Sequence, residues 1–442
     1  MLKLNCLYIK TIKKTFIVIS VFLGVVLCYG FKQEKATTNQ PNETKSATTN
    51  NSNDIVIAGS NGVQRISVFS KNTNYDSKLS TVASEVRFIP LDDEPLINDF
   101  HTYDVELTDD FVLLSGLDYI YQYDKQGRFI RNIGEKGMGP ADYINISHPL
   151  QIDNAENTIY ALDIGRRRVV VYNFDGSFNR AFQTNFQGSM AIIDPSTIAF
   201  RQSAEDRFRK NAPFISFTDR KGKNEEIYYS HLHPVVPRNE AKTLGSEVSF
   251  LWEHAGRFYY LEYGADTIFQ ILRDKFEPVW ILTGELKLDK KELFLRDKGK
   301  KLDNISNMLR PNGGIFESNR FLIFKLVDNQ ERFYMVYDKV SGQFHRTYEK
   351  DAPAYVNSRG EIISIKRDYF IDDIVSGLHF IPQYQSMGKA IALIPATTVV
   401  ENRKEILRHI ASHPSKESEH LKSIVEDMEE EDNPLVMTVT FK

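Results

Sequence analysis

The sequence predicts an all-β protein, a six-bladed β-propeller with a small helical C-terminal insertion before the closing strand. Three observations favour this fold: an aromatic content of 12%, a recurring strand–turn–strand unit, and an alternating segment at the C-terminus. Aromatic residues are enriched in strands, so the composition favours sheet over a helical bundle. With 442 residues, 41% of them hydrophobic, the chain is long enough to bury a substantial core.

The recurring unit consists of alternating apolar residues, an aspartate, usually a glycine, and a second strand. Aspartate can hydrogen-bond its own turn and glycine takes the positive φ that such turns need, so each copy is typical of a β-hairpin. Successive copies lie 44 to 64 residues apart, which matches one four-stranded propeller blade. The five copies contain Asp124, Asp175, Asp219, Asp274 and Asp338.

A sixth blade and the closure of the ring are expected from the C-terminal part. We expect the segment from Glu361 to Pro395 to supply the outer part of the sixth blade. The alternating run at 435–441 is predicted to close the ring beside a strand near Val86 to Leu91, which would remove exposed sheet edges. At about 400–431, apolar residues at helical spacing on both sides of Pro414 predict two inserted helices.

The N-terminus has the features of an export signal. Lysines precede an apolar run from Phe16 to Phe31, which is short for a spanning helix, although an uncleaved anchor is an alternative. We predict a signal peptide at 1–28, a disordered tether at 29–53, where apolar residues are scarce, and the propeller at 54–442.

The two cysteines, Cys6 and Cys28, both fall in the predicted signal, so the mature protein is expected to lack disulfides. Cys28 closes the apolar run, where bacterial lipoproteins carry their acylated cysteine, and Val25–Cys28 resembles a lipobox. A plain signal peptide with an incidental thiol is the alternative. These features predict an exported, periplasmic or outer-membrane-associated lipoprotein of the cell envelope.

The charge balance excludes one class of partner. The chain has 55 basic and 59 acidic side chains, a formal net charge of −4, and no basic stripe that could neutralise phosphates. A nucleic-acid partner is therefore not expected. Membrane contact is expected only through the N-terminal lipid or signal anchor, and the partner is expected to be a small molecule, a glycan or a protein.

Two stretches resemble a known family. The stretch Asp163–Gly176, with Arg168 before a valine-rich strand, resembles the NHL-repeat pattern. The glycine-rich stretch Ile133–Tyr143, which contains Gly139 and Pro140, is similar to a turn of the six-bladed β-propeller lipoproteins of Gram-negative bacteria. This resemblance implies a propeller in which Arg168 pairs with Asp163 and stabilises a blade turn. The family is mostly without an assigned activity.

Few residues suggest a functional site. Arg166 and Arg167 are candidates for binding an anionic ligand at the channel mouth, and Trp252 is a candidate for stacking on a ligand. His231 and His233 are candidates for a divalent metal, although no third ligand can be assigned from the sequence. No catalytic group and no cofactor are predicted.

The sequence favours a ligand- or protein-binding module at the cell envelope over two alternatives. The first alternative is an enzyme at the channel mouth, such as a hydrolase, lactonase or lyase, which only fold analogy supports. The second is a structural subunit of an envelope complex, which would need a wide apolar surface patch.

Overall fold

The computed structural model describes most of the chain from residue 63 onward. The described residues are 63–68, 74–97, 102–186, 188–201, 213–229, 250–261, 265–273, 275–284, 310–328, 331–350, 354–356 and 362–442. The predicted signal peptide with Cys28, the predicted tether, and the pair His231 and His233 lie outside these residues.

The described strands form six radial blades. Three N-terminal strands are Gln64–Val68 (β1), Asn74–Tyr75 (β2) and Ala83–Pro90 (β3). Blade 1 contains Thr102–Leu107 (β4), Phe111–Gly116 (β5), Ile120–Asp124 (β6) and Phe129–Asn132 (β7). Blade 2 contains Ile146–Asp153 (β8), Thr158–Asp163 (β9), Arg168–Asn173 (β10) and Phe178–Gln183 (β11). Blade 3 contains Ser189–Asp194 (β12), Thr197–Arg201 (β13), Pro213–Asp219 (β14) and Glu226–Tyr229 (β15).

The remaining blades follow the same order from inner to outer strand. Blade 4 contains Phe250–His254 (β16), Arg257–Leu261 (β17), Thr267–Ile271 (β18) and Phe276–Gly284 (β19). Blade 5 contains Arg310–Glu317 (β20), Phe321–Asp328 (β21), Glu331–Asp338 (β22) and Phe344–Arg346 (β23). Next come Ala354–Val356 (β24), Ile362–Arg367 (β25), Phe370–Ile371 (β26) and His379–Phe380 (β27). Tyr384–Ser386 (β28), Lys389–Ile394 (β29) and Leu435–Phe441 (β30) belong to blade 6.

The recurring unit of the sequence is the pair of outer strands of a blade. In blade 1 the Oδ1 atom of Asp124 accepts the N–H groups of Gln126 and Arg128, each at 2.9 Å. The turn closes at Gly127, whose φ is +84°. The same arrangement of aspartate and positive-φ glycine recurs in blades 2, 3 and 5, whereas Asp274 of blade 4 lies outside the described residues.

Blade 6 closes the ring and confirms the predicted pairing of the chain ends. Its strand order is β28-β29-β30-β3, and β30 pairs antiparallel with β3 so that Val439 faces Val86. One expectation was wrong: residues 384–394 form the two inner strands of this blade, not its outer part. The two chain ends already fill both outer positions, which leaves only the inner ones. The preceding β25 instead extends blade 5 by pairing with β22.

The N-terminal segment adds outer strands to three consecutive blades. Strand β1 pairs in parallel with β19 of blade 4, and β2 pairs in parallel with β23 of blade 5. Strand β3 then becomes the outermost strand of blade 6. We call β1, β2 and β3 together the N-terminal strap. It covers edges that would otherwise present unpaired backbone groups.

Within the described residues, three helices lie between β29 and β30: Ala396–Glu401 (α1), Arg403–Ser412 (α2) and Lys416–Asp427 (α3). The prediction of two helices missed α1, a single short segment that buries Ala396 and Val399. Helix α3 packs on β3, where Glu417 accepts the N–H of Phe88 at 2.8 Å. No helix in the described part of the chain combines the length and apolar character needed to cross a membrane.

Candidate functional site

The inner strands of the blades surround the centre of the propeller. The first strands of neighbouring blades touch: β28 contacts β4, β4 contacts β8, β8 contacts β12, and β16 contacts β20. Because every blade repeats the same meander, the inner strands run in one direction and their last residues meet at one end of the channel. We call the polar side chains that gather toward this end the channel-end cluster: Asp104, Glu106, Glu253, Glu317, Gln385 and Ser386.

Glu106 is the half-buried carboxyl group of the cluster. The Ser386 hydroxyl of blade 6 donates to Glu106 Oε2 at 2.6 Å and accepts the N–H of Leu107 at 2.9 Å, which joins blade 6 to blade 1. Burial raises the pKa of Glu106 well above its usual range. The charges of Asp104 and Glu253 raise this pKa further, while the Ser386 hydrogen bond opposes the shift. Within the described part of the chain, the charged groups that act most strongly on Glu106 are thus carboxylates.

Asp104 lies on the same face of β4 as Glu106, because side chains alternate along a strand. It is 5% exposed, and its Oδ2 atom accepts the N–H of Leu150 in blade 2 at 2.8 Å. Burial raises the pKa of Asp104 to about 7, although this hydrogen bond acts in the opposite direction. The Asp104 carboxyl group therefore titrates near neutral pH.

Glu317 is the carboxylate of the cluster that is paired with a lysine. It is 1% exposed, lies 2.8 Å from the Lys339 ammonium, and accepts the indole N–H of Trp252 at 2.7 Å. The ring of Trp252 is buried and stacks on Tyr259, with 5.6 Å between the ring centroids. The structure thus places the predicted stacking residue in the core between blades 4 and 5, where only its N–H reaches the cluster.

Gln385 connects three blades with one amide group. Its Nε2 atom donates to the backbone carbonyls of Glu317 at 3.2 Å and Glu253 at 3.3 Å, and its Oε1 atom accepts the N–H of Glu317 at 3.1 Å. Blades 4, 5 and 6 are therefore held together at this end of the channel. The Glu253 side chain accepts the N–H of Gly256 at 2.5 Å, which fixes it against its own turn.

The predicted turn residues meet at the opposite end of the inner strands. The Arg168 guanidinium is buried, donates to the carbonyl of Pro140 at 3.0 Å, and lies 3.6 Å from the Asp163 carboxylate. Arg166 donates to the carbonyl of Gly139 at 2.7 Å. Two arginines thus bind the backbone of one turn, and neither lies near Trp252 in blade 4.

Arg167 is exposed and has a φ of +51°. Of the three consecutive arginines, it is the most exposed one. The structure therefore brings Arg166 to a carbonyl group and leaves Arg167 at the surface, so the two candidates do not converge on one anion.

A metal-assisted form of the enzyme alternative would need histidine and carboxylate side chains that converge on a metal. Among the described residues, no group of three or more His, Cys, Asp or Glu side chains is arranged to hold a metal ion. His148, on the inner strand β8, lies 3.2 Å from the Ser115 hydroxyl through its Nδ1 atom, and burial lowers its pKa to about 4. It is therefore neutral at physiological pH.

Sequence reasoning missed the channel-end cluster. Its members come from four blades, and no single stretch of sequence places them together. One signal was present: Asp104 and Glu106 interrupt a strand-like run at alternate positions, and a charged pair on one face of an inner strand is unusual.

The chain belongs to the family described as a domain of unknown function, DUF4934, whose model matches residues 63–440. The matched residues cover nearly all of the six-bladed propeller described above. No curated protein matches the chain.

Solved structures share the fold at low sequence identity. A Bacteroides fragilis protein inferred to be exported is 16% identical with a TM-score of 0.58, over 86% of this chain and 99% of that one. A DUF4221 family member from Bacteroides vulgatus is 12% identical with a TM-score of 0.45, over 82% and 97%. Virginiamycin B lyase from Staphylococcus aureus is 12% identical with a TM-score of 0.36, over 61% and 76%. The first of these shows the propeller fold alone.

Proposed function

We propose that this chain is an exported, lipid-anchored binding module that holds a cationic group at the acidic end of its propeller channel. Cys28 carries the lipid, and residues 29–53 connect it to the propeller. The charged and apolar segments before Cys28, the lipobox-like stretch, and the similarity to a Bacteroides fragilis protein inferred to be exported support this location.

The observation that carries the binding proposal is the Glu106 carboxyl group, which is half-buried among carboxylates. Burying an ionised carboxylate without a cation is unfavourable, so the group takes up a proton or attracts a positive ligand. An ammonium or guanidinium group that reaches Glu106 gains this interaction and lowers the carboxyl pKa. An organic cation fits better than a metal ion, because the described residues provide no three-ligand metal set.

Calorimetry on the full-length protein in detergent micelles tests the binding site. The probes are acetyl-trilysine amide and acetyl-triglutamate amide. We expect the lysine peptide alone to bind, and Glu106→Gln to weaken this binding at least tenfold. Glu405→Gln is the matched control, since it removes the same charge from an exposed position on α2. Equal affinity of the Glu106→Gln variant, or no binding of the lysine peptide, would contradict the proposal.

The anchor is tested separately. Mass spectrometry of the membrane-bound protein is expected to find an acylated N-terminal Cys28, and Cys28→Ser is expected to move the protein into the soluble envelope fraction. An unmodified cysteine or an unchanged membrane fraction would contradict the lipid anchor without affecting the channel proposal.

A further inference from the structure

The outer edge of blade 5 carries two exposed tyrosines whose rings are in contact. Tyr75 on β2 is 57% exposed, and Tyr348, which follows β23, is 39% exposed. Their ring centroids are 4.9 Å apart, and the ring planes are inclined by 48°. Single exposed apolar side chains are common on proteins, whereas two exposed aromatic rings in contact form a distinct surface.

The backbone fixes the positions of both rings. Strand β2 pairs in parallel with β23, so that Tyr75 lies opposite Arg346. The Ser77 hydroxyl accepts the N–H of Tyr348 at 2.8 Å and donates to the carbonyl of Tyr348 at 3.0 Å. The two tyrosines are 273 positions apart in the sequence, yet these contacts hold them side by side.

Two buried guanidinium groups lie against the rings from within the protein. Arg346 is 5.7 Å from the centroid of Tyr75, and Arg367 is 4.4 Å from the centroid of Tyr348. Both arginines are paired with Glu331, and their side chains are 5% and 8% exposed. These cation–π contacts orient the rings, while part of each tyrosine stays exposed. They also make the outer faces less attractive to a second cation.

The surroundings of the tyrosine pair are polar. Glu349 follows Tyr348 directly, and its carboxylate accepts the hydroxyl of Tyr369 and lies 4.0 Å from His379 Nε2. His379 stacks on Tyr369 and its side chain is 49% exposed. A surface formed by two rings is far smaller than the interface of a stable protein complex, which buries about 800 Å² on each partner. A small ligand with both apolar and polar faces fits this surface better.

We propose that Tyr75 and Tyr348 form a platform that binds a neutral oligosaccharide. A pyranose ring has an apolar face of C–H groups and a rim of hydroxyl groups. The exposed parts of the tyrosine rings can cover the C–H groups, while the phenol hydroxyls provide donors and acceptors for the rim. This surface lies on the outer edge of a blade, so it is independent of the channel proposal.

Calorimetry with cellohexaose, maltohexaose and N-acetylchitohexaose tests the platform on the full-length protein. The detergent must lack a sugar headgroup, since such a headgroup would compete. We expect at least one oligosaccharide to bind, and Tyr75→Ala and Tyr348→Ala each to weaken its binding at least tenfold. Tyr75→Phe keeps the ring and is expected to change affinity less than threefold. Phe178→Ala removes an exposed aromatic ring from blade 2 and should have no effect.

Several outcomes would overturn the proposal: no binding of the three oligosaccharides, unchanged affinity of the alanine variants, or tighter binding of tetramethylammonium than of sugar. Saturation-transfer NMR on the unsubstituted protein avoids the problem of a variant that fails to fold. Irradiation of protein aromatic protons is expected to saturate the C–H protons of one face of the bound sugar. Transfer to all sugar protons alike would contradict stacking.

Discussion

Replacing Gly127 by alanine tests the contact between blade 1 and β3, the outermost strand of blade 6. Gly127 has a φ of +84°, and an added Cβ atom would lie 1.7 Å from the carbonyl oxygen of Pro90 in β3. Gly342 occupies the corresponding hairpin of blade 5, in a turn one residue longer, with a φ of +70°, and a Cβ atom there would meet nothing within 4 Å. The Gly342→Ala variant is therefore a matched control.

The expected loss of stability follows from the two environments. Both variants place an alanine in the left-handed region, which costs about 1–2 kcal/mol. At Gly127 the turn must also move, which breaks the bonds from Asp92 N–H to Gly127 O at 2.9 Å and from Phe129 N–H to Asp92 Oδ2 at 2.8 Å. A neutral hydrogen bond contributes about 0.5–1.5 kcal/mol and a charged one about 1.5–3 kcal/mol. We expect Gly127→Ala to destabilise by roughly 3–6 kcal/mol.

Urea unfolding followed by circular dichroism in the β-sheet region measures both variants. Tryptophan fluorescence is less suitable, because Trp252 and Trp280 both lie in blade 4 and report on that blade. Losses that agree within about 0.5 kcal/mol would refute the reasoning, since surface changes without a specific contact are of that size. In that case the turn of blade 1 and β3 would not be in close contact.

Three further predictions concern protonation, a buried ion pair and ring closure. The pKa of Asp104 is about 7 when folded and 3.8 ordinarily, so the folded state binds the extra proton and stability should fall as pH rises from about 4 to 7. Asp104→Asn should weaken this dependence in urea melts from pH 4 to 8, and the raised pKa of Glu106 should maintain the remainder. Arg168→Met should destabilise by about 3–5 kcal/mol because it leaves Asp163 buried and unpaired, and adding Asp163→Asn should recover part of the loss in a double-mutant cycle. A chain that ends at Pro434 lacks β30 and should elute as aggregate in size-exclusion chromatography, whereas a monomeric folded product would contradict the role of this strand.

The blades could be predicted because their signals are local. A hairpin such as β6–β7 is specified by alternation, by Asp124 and by Gly127, all within a few residues. The closing strand was also predictable, since the C-terminal run alternates and a strand-like stretch near Val86 lies at the other end of the propeller. The helical insertion was found from its apolar spacing, but α1 is too short to show a period.

Contacts between distant segments could not be predicted. Gln64 of β1 lies opposite Trp280, and no local pattern indicates that a short polar–apolar segment will join blade 4 in parallel. The candidate site could not be predicted for the same reason, because Ser386 and Glu253, which act on Glu106, belong to other blades. Trp252 was considered from its type alone, and only its packing against Tyr259 shows that the ring is buried.

The N-terminal strap determines when the molecule can finish folding. Strands β1, β2 and β3 dock on β19, β23 and β30, all of which emerge later from the ribosome and from any export channel. Strand β3 therefore remains unpaired until the last seven-residue strand has arrived. Such long-range pairing is slow and leaves strand edges open to other chains. A chaperone that holds residues 63–90 during export should therefore increase the yield of folded protein.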